Sequence, residues 1–584
     1  MLCAFFSNSG ITINIMKIES FSIRSLIIVA GITTICLIPF LTKAFHIDDT
    51  LFLWCAKQIQ ANPTDFYGFT VNWYGEQQPM YLVNQNPPLV SYFIAGVASL
   101  FGWTETILHI AFLIPAVCLS IGIYFLARFL CPLPYLAALI AVLSPVFLVS
   151  STNVMTDGLF LTLYVWSAVL WLYGMEKDKS LYFLCAGILI SLAALTKYFG
   201  MSLIPLLFTY SLVKKRKLGG WVLFFIIPIL ILIGYELLTY LLYDNFLISN
   251  SAAYAIKVGG AGKITLFITK TFRGLSYTGG CMAGILFFTH LMWSRRDLKI
   301  GIILLFLFIT ALFGMESVRA TLLPSVQRIG YETIILYALF TFAGIQILLL
   351  AAVDILKYKT PESLLLFLWV FGTFLFASQV NWTINARTIL PMIPAVGILV
   401  IRRLNGRIDF KNPYKAFRYT WPLIPAAIIA LSVTWADVSL ANCQRSAARR
   451  IHDEFSGYPH TIWFQGHWGF QYYMESHGAK AFDLNKPVIN TGDIIIMPIN
   501  NSNLMWLPKN QFHFVGKRQL MPHRWIGTMS KKNGAGFYSD IYGPLPFSIG
   551  NIEPEEYLIF LSGNFKSPAE AIEDFGEQLK AGHF

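Results

Sequence analysis

Charge is what this sequence has least of. Asp, Glu, Lys and Arg supply 13% of its 584 residues, about half the ~25% usual in a soluble domain. Hydrophobic residues supply 56%, and the mean hydropathy is +0.60. That balance excludes a disordered chain, which needs low hydrophobicity and high charge. Cysteine is sparse as well. Cys3, Cys36, Cys55, Cys118, Cys131, Cys185 and Cys281 sit in or beside apolar stretches, and Cys443 alone falls in the more polar C-terminal part. They form no CxxC or Cys/His spacing, so neither a zinc site nor a disulfide-framed secreted domain is expected. The chain also lacks internal repeats and low-complexity tracts. Its net charge of +12 does not signal a nucleic-acid partner, because basic excess in so apolar a chain reads as cytoplasmic loops between membrane spans.

What is there instead is a series of apolar stretches of membrane-crossing length. A bilayer core takes roughly 20 mostly apolar residues per helix. Such stretches occur near 23–42, 106–127, 134–150, 158–174, 181–196, 199–213, 220–243, 274–293, 300–315, 333–353, 363–380, 388–401 and 420–436, or about 13 spans. Residues 1–15 are weakly patterned and read as an extension ahead of a more natural start at Met16. The first span has no small-residue cleavage site and is not a removed signal peptide.

Lys and Arg set the orientation. With residues 1–22 in the cytoplasm, the inner loops hold 20 basic residues and the outer loops before residue 436 hold 10. This is the positive-inside pattern. It places residues 437–584 on the outer face, and the short inner loops fit a multi-pass protein of a bacterial inner membrane. In this tail the apolar runs shorten to strand length, as in "HTIWF", "DIIIMPI" and "EYLIFL". Turn residues such as Gly457, Pro459, Gly466, Gly492 and Pro498 separate them. "WGFQYYMESHG" reads as a short helix stopping at Gly478. The tail is therefore expected to be a small α/β domain.

Scarce charge on the outer face marks where chemistry belongs, since ionisable groups at membrane depth are costly. The first outer loop, 43–105, opens with "FHIDDTLFLWCAKQI", which places Asp48 and Asp49 at the start of an interfacial helix. "NPPLVSYF" at 86–93 begins a second one. Asp157 stands in "SSTNVMTDGLF", Lys197 in "LTKYFG" and Arg387 in "NARTILPMIPAV". Each has an ordinary account: Asp48–Asp49 and Asp157 as helix caps, Lys197 snorkelling to headgroups, Arg387 meeting a lipid phosphate. All five fall on one side of the membrane, which favours one shared site. His46, Glu76 and His109 are neighbouring polar residues left outside it.

The order of these features resembles the GT-C glycosyltransferases: an acidic pair after span 1, "PPL" before span 2, an Asp after span 3, "LTK" between spans 5 and 6, and a late R-x-x-L-P. Within them the chain is similar to the dolichyl-phosphate-mannose protein mannosyltransferase-like group (glycosyltransferase family 39), which includes the bacterial lipid A aminoarabinose transferases. The resemblance covers roughly residues 23–400, and the tail phrase "WFQGHWGFQYYMESHG" is similar to one in bacterial members. It implies a membrane α-helical GT-C fold with about 13 transmembrane helices, a long first periplasmic loop with interfacial helices, and a small periplasmic C-terminal domain. It also implies transfer of a sugar from a polyprenyl-phosphate donor to an envelope lipid, glycan or protein acceptor, with inversion. Asp48 takes the place of the catalytic Asp, Asp49 that of a second acid beside it, and Asp157 that of an acid shaping the acceptor side. Lys197 and Arg387 take the places that hold the donor phosphate. Aminoarabinose transferases carry an acid and a lysine before "PPL" where this chain has Gln85 and Asn86, and an Arg where it has Leu51. No metal and no other cofactor is therefore expected, and aminoarabinose is not implied as the sugar.

Two other classes fit parts of the pattern. A secondary transporter or lipid flippase would account for about 13 spans, but transporters gather charge at the midplane of repeated halves, not at one face. A GT-C-like scaffold without activity would leave the retained Asp48, Asp157, Lys197 and Arg387 without a task.

Overall fold

The computed structural model describes residues 22–259, 264–324, 330–405, 419–486 and 488–563. The proposed start extension 1–15, nearly all of the N-terminal segment 1–22 and the last part of the tail lie outside the described residues. So do Lys17, Lys263, Arg328, Arg407, Lys411, Lys415 and Arg418 among the bases that set the orientation. The chain is a multi-pass membrane protein. Among the described residues nine helices are long and apolar enough to cross a membrane, and two bent pairs raise that number to as many as eleven. Each of the thirteen expected stretches is helical. Two of them, Ser180–Thr196 and Leu203–Lys215, are 17 and 13 residues long, shorter than a perpendicular span needs.

The breaks have local causes. Pro134–Val142 and Pro145–Ser151 meet at 68°, because Pro145 lacks the amide that would continue the first helix. Ser144 turns extended there and its hydroxyl accepts from the Phe147 amide. Ile264–Cys281 and Ile285–Met292 meet at 93° around the glycine-bearing stretch Gly279–Gly284. Ile264–Cys281 also lies against Tyr331–Tyr358 with almost no space between. A Cβ on Gly279 would fall 1.9 Å from the Phe340 carbonyl oxygen, and one on Gly344 2.1 Å from that of Leu275. Small residues of this kind let membrane helices approach backbone to backbone.

Both helices expected in the first outer loop are present, as Asp49–Ala61 and Leu89–Phe101. At 13 residues each they are too short to cross. Asp49–Ala61 is covered rather than open to lipid: Thr50, Phe52, Leu53, Cys55 and Ala56 are all buried. The tail lies over it. The Thr50 hydroxyl donates to the Trp468 carbonyl, the Gln471 amide to that of Asn72, and the Asn72 amide to that of Phe482.

The last apolar helix does not stop where the hydropathy does. It runs unbroken from Leu423 to Glu454 and delivers the chain into the tail's sheet. That sheet has five strands in the order Lys480–Ala481, Ile462–Phe464, Ile494–Pro498, Glu555–Ser562, Phe512–Leu520. The first three are parallel and the last two antiparallel. Ile494–Pro498 is buried at every position, as a central strand with both faces covered should be. Phe512–Leu520 is an edge strand and carries Lys517 and Arg518, charges that discourage further pairing. Trp468–Ser476 is the expected short helix, and Gly478 follows it with φ +87°.

Candidate active site

The site is built from the starts and ends of helices that are far apart in sequence. Asp48 stands at the N-terminus of Asp49–Ala61 but makes no capping bond with its side chain. The carboxylate turns instead to Arg387, whose Nη1 donates to it at 2.6 Å. Asp157 lies in the first turn of Thr156–Lys177, again without a capping role. It accepts from Arg387 Nε at 2.6 Å and from Lys197 Nζ at 2.9 Å. Lys197 ends Ser180–Thr196 and is not snorkelling, and Arg387 sits in the turn Ala386–Ile389 that opens the helix Ala386–Asn405. Two acids and two bases thus form one chain of ion pairs, Asp48–Arg387–Asp157–Lys197. Their side chains are 34%, 11%, 0% and 17% exposed in that order, so Asp48 is the most open and Asp157 the one fully enclosed.

Asp49 faces the other way. It is fully buried and accepts from the His46 amide at 2.8 Å, tying the turn that carries Asp48. Burial pushes its carboxyl up to about 7, against the opposing pull of Lys43 and of the His46 amide. The turn itself is strained. Ile47 has φ +45°, a left-handed conformation that a β-branched residue adopts only when its surroundings impose it.

Beneath the turn is a buried network that sequence reasoning missed. Lys43 Nζ donates to Asp437 at 2.6 Å and also to Asn153 and Thr152. Tyr538 donates to Asp437 at 2.9 Å, and the Asn153 amide donates to Tyr538. Burial holds the His46 ring down at about 3, so it stands neutral beside Asp437. A signal for half of this was available: Asp437 is an acid on the apolar run of Leu423–Glu454, and buried acids seek a cation. His109 is structural, its ring set between the carbonyls of Glu105 and Thr152. Glu76 meets Gln78 and Asn485 at the tail boundary.

No three His, Cys, Asp or Glu side chains gather as a metal site among the described residues. The donors at the positions in question also suit a cation poorly. Gln85 accepts from Ser251, and the Asn86 carbonyl accepts from Tyr67, while Asp48 and Asp157 already face Arg387.

Residues 85–241 match the family model described as dolichyl-phosphate-mannose-protein mannosyltransferase. This stretch is mannosyltransferase-like. It contains Asp157 and Lys197, and it bears out the family resemblance read from the order of the motifs. No curated protein matches the chain. Similar solved structures include an archaeal oligosaccharyltransferase, AglB from Archaeoglobus fulgidus, at 14% identity and a TM-score of 0.47, covering 82% of this chain and 69% of that one. Another is ArnT from Cupriavidus metallidurans, at 12% identity and a TM-score of 0.47, covering 81% of this chain and 93% of that one.

Proposed function

We propose that this protein is a membrane glycosyltransferase that moves a sugar from a polyprenyl-phosphate donor to a hydroxyl-bearing acceptor at the periplasmic face of the inner membrane. The observation that carries this reading is the ion-pair chain Asp48–Arg387–Asp157–Lys197, assembled from four distant segments at helix ends. The mannosyltransferase-like match over residues 85–241 supports it. Arg387 and Lys197 receive the lipid phosphate, Arg as a planar fork and Lys as a point charge. Asp157, enclosed between them, holds both cations in place. When the phosphate takes over the Arg387 donors, Asp48 is released from its ion pair and becomes free to act as a base.

In the reaction the acceptor oxygen attacks the anomeric carbon and the carbon–oxygen bond to the phosphate breaks. Asp48 takes the acceptor proton. The negative charge that develops on the departing lipid phosphate falls between Arg387 and Lys197. Attack opposite the leaving group inverts the anomeric centre. Asp49 keeps the Asp48 turn in place from below.

The test is mass spectrometry of envelope glycans and glycolipids in a strain lacking the protein, complemented with wild type or with Asp48→Asn. One sugar should be missing in the deletion, restored by wild type and not by an Asp48→Asn protein that inserts normally. Full restoration by Asp48→Asn would refute the base assignment. Uptake or flipping by the purified protein with no glycosyl product would point to a transporter instead.

A further inference from the structure

Arg387 stands directly after an irregular stretch of backbone. Pro361–Leu375 runs into a wide turn at Phe376–Val380, where the Asn381 amide bonds the Phe376 carbonyl. Residues 381–385 are irregular, and Arg387 lies in the first turn of the membrane helix Ala386–Asn405, which tightens to a 3-10 turn at Leu390–Met392. The first amides of a helix have no partner within it, and irregular backbone between membrane helices must find partners for its polar groups.

Those partners come from the tail. Residues 535–543 reach back from the C-terminal domain and lie along this segment. The Ala386 amide donates to the Phe537 carbonyl at 2.8 Å, and the Asp540 amide to the Ile384 carbonyl at 2.9 Å. One oxygen of the Asp540 carboxylate accepts from the Thr383 hydroxyl at 2.7 Å and from the Ile384 amide at 3.0 Å. The other accepts from Arg273 at 2.6 Å, which anchors the loop to Ile264–Cys281. Tyr277, on the same helix, donates to the Gly536 carbonyl at 2.6 Å. Two residues back from Asp540, Tyr538 reaches Asp437 and Asn153. The loop therefore touches both the Arg387 segment and the network under the Asp48 turn.

We propose that Asp540 is a positioning residue for Arg387: by clamping Thr383 and Ile384 against Arg273, the C-terminal domain sets where the Arg387 guanidinium stands between Asp48 and Asp157. This rests on the reading of Arg387 as a phosphate ligand, and it assigns the tail a part in donor binding. The partners of the Asp540 carboxylate are Arg273, Thr383 and Ile384 rather than the ion-pair chain itself, so its effect must pass through the 383–386 backbone.

The experiment is a double-mutant cycle on the purified full-length protein, with farnesyl phosphate as a soluble polyprenyl-phosphate probe and binding followed by tryptophan fluorescence. Asp540→Ala and Thr383→Val should each weaken binding roughly tenfold, as small misplacements of a binding group do. Thr383→Ser, which keeps the hydroxyl, should bind like wild type. In an Arg387→Ala background Asp540→Ala should cost nothing further, because the residue it positions is gone. The proposal is overturned if Asp540→Ala binds normally, or if the Asp540 and Arg387 losses multiply. If Asp540→Ala does not fold, Thr383→Val takes its place in the cycle under the same criteria. An Arg387→Ala protein that binds the probe like wild type overturns the phosphate reading, and this proposal with it; loss on Arg387→Ala without loss on Asp540→Ala overturns the proposal alone.

Discussion

Lys43 and Asp437, 394 positions apart in sequence, meet at 2.6 Å with both side chains fully buried. They tie the turn after the first span to the last apolar helix, directly under the Asp48–Asp49 pair. Removing one member of such a pair leaves an uncompensated buried charge, at a cost of about 3–5 kcal/mol, while replacing both by apolar residues is often tolerated. Lys43→Met and Asp437→Leu should each sharply lower the thermal midpoint of the detergent-solubilised protein. The double variant should recover much of the loss. A double variant less stable than either single one would show that the pair contributes mainly through its bonds to Asn153 and Tyr538.

The raised Asp49 carboxyl gives stability a definite dependence on pH. Its folded value is about 7 against the usual 3.8. Below about pH 4 both folded and unfolded chains hold the proton, and the group makes no difference. Between about 4 and 7 the folded state keeps a proton that the unfolded chain has released, so stability falls as pH rises; above 7 the loss is complete and amounts to at most about 4 kcal/mol. Asp49→Asn removes this dependence and keeps an oxygen for the His46 amide. The variant should match wild type near pH 4 and exceed it in thermal midpoint at pH 8. Equal midpoints at pH 8 would mean that Asp49 is ionised without cost.

Gly344 allows the close crossing of Tyr331–Tyr358 with Ile264–Cys281, the helix that carries Arg273 and Tyr277. A Cβ there meets the Leu275 backbone at 2.1 Å, and backbone cannot step aside as a side-chain tip can. Gly344→Ala should therefore destabilise by about 1–3 kcal/mol, the usual range for overpacking, read as a fall in thermal midpoint. An unchanged midpoint would mean that the two helices separate freely.

How much of this was legible beforehand follows the physics of each feature. Long apolar runs dictate helices, so all thirteen stretches are helical, while nine to eleven of the described helices are long and apolar enough to cross a membrane. Their bends at Ser144–Pro145 and Gly279–Gly284 were not legible, because hydropathy carries no direction. Asp48, Asp157, Lys197 and Arg387 stood out because charge is rare in this chain, and their side chains do converge. Their separate duties were less readable: Asp157 faces the cations, and Asp49 faces inward. Lys43 was hidden by lying among ordinary flanking bases, while Asp437, an acid at the end of an apolar run, was the readable half of the pair. Tyr538 and Asp540 gave no signal at all, since only the folded tail carries them back to the membrane domain.

The unbroken helix from Leu423 to Glu454 has a mechanical consequence. At 1.5 Å per residue its 32 residues reach about 48 Å, while a hydrocarbon core is only about 30 Å thick. A mast of roughly 18 Å thus stands clear of the lipid and bears the sheet. Ala441, Gln444, Ala448 and Ile451 are buried along that length, so the sheet stands on a post braced by the rest of the protein rather than on a free one.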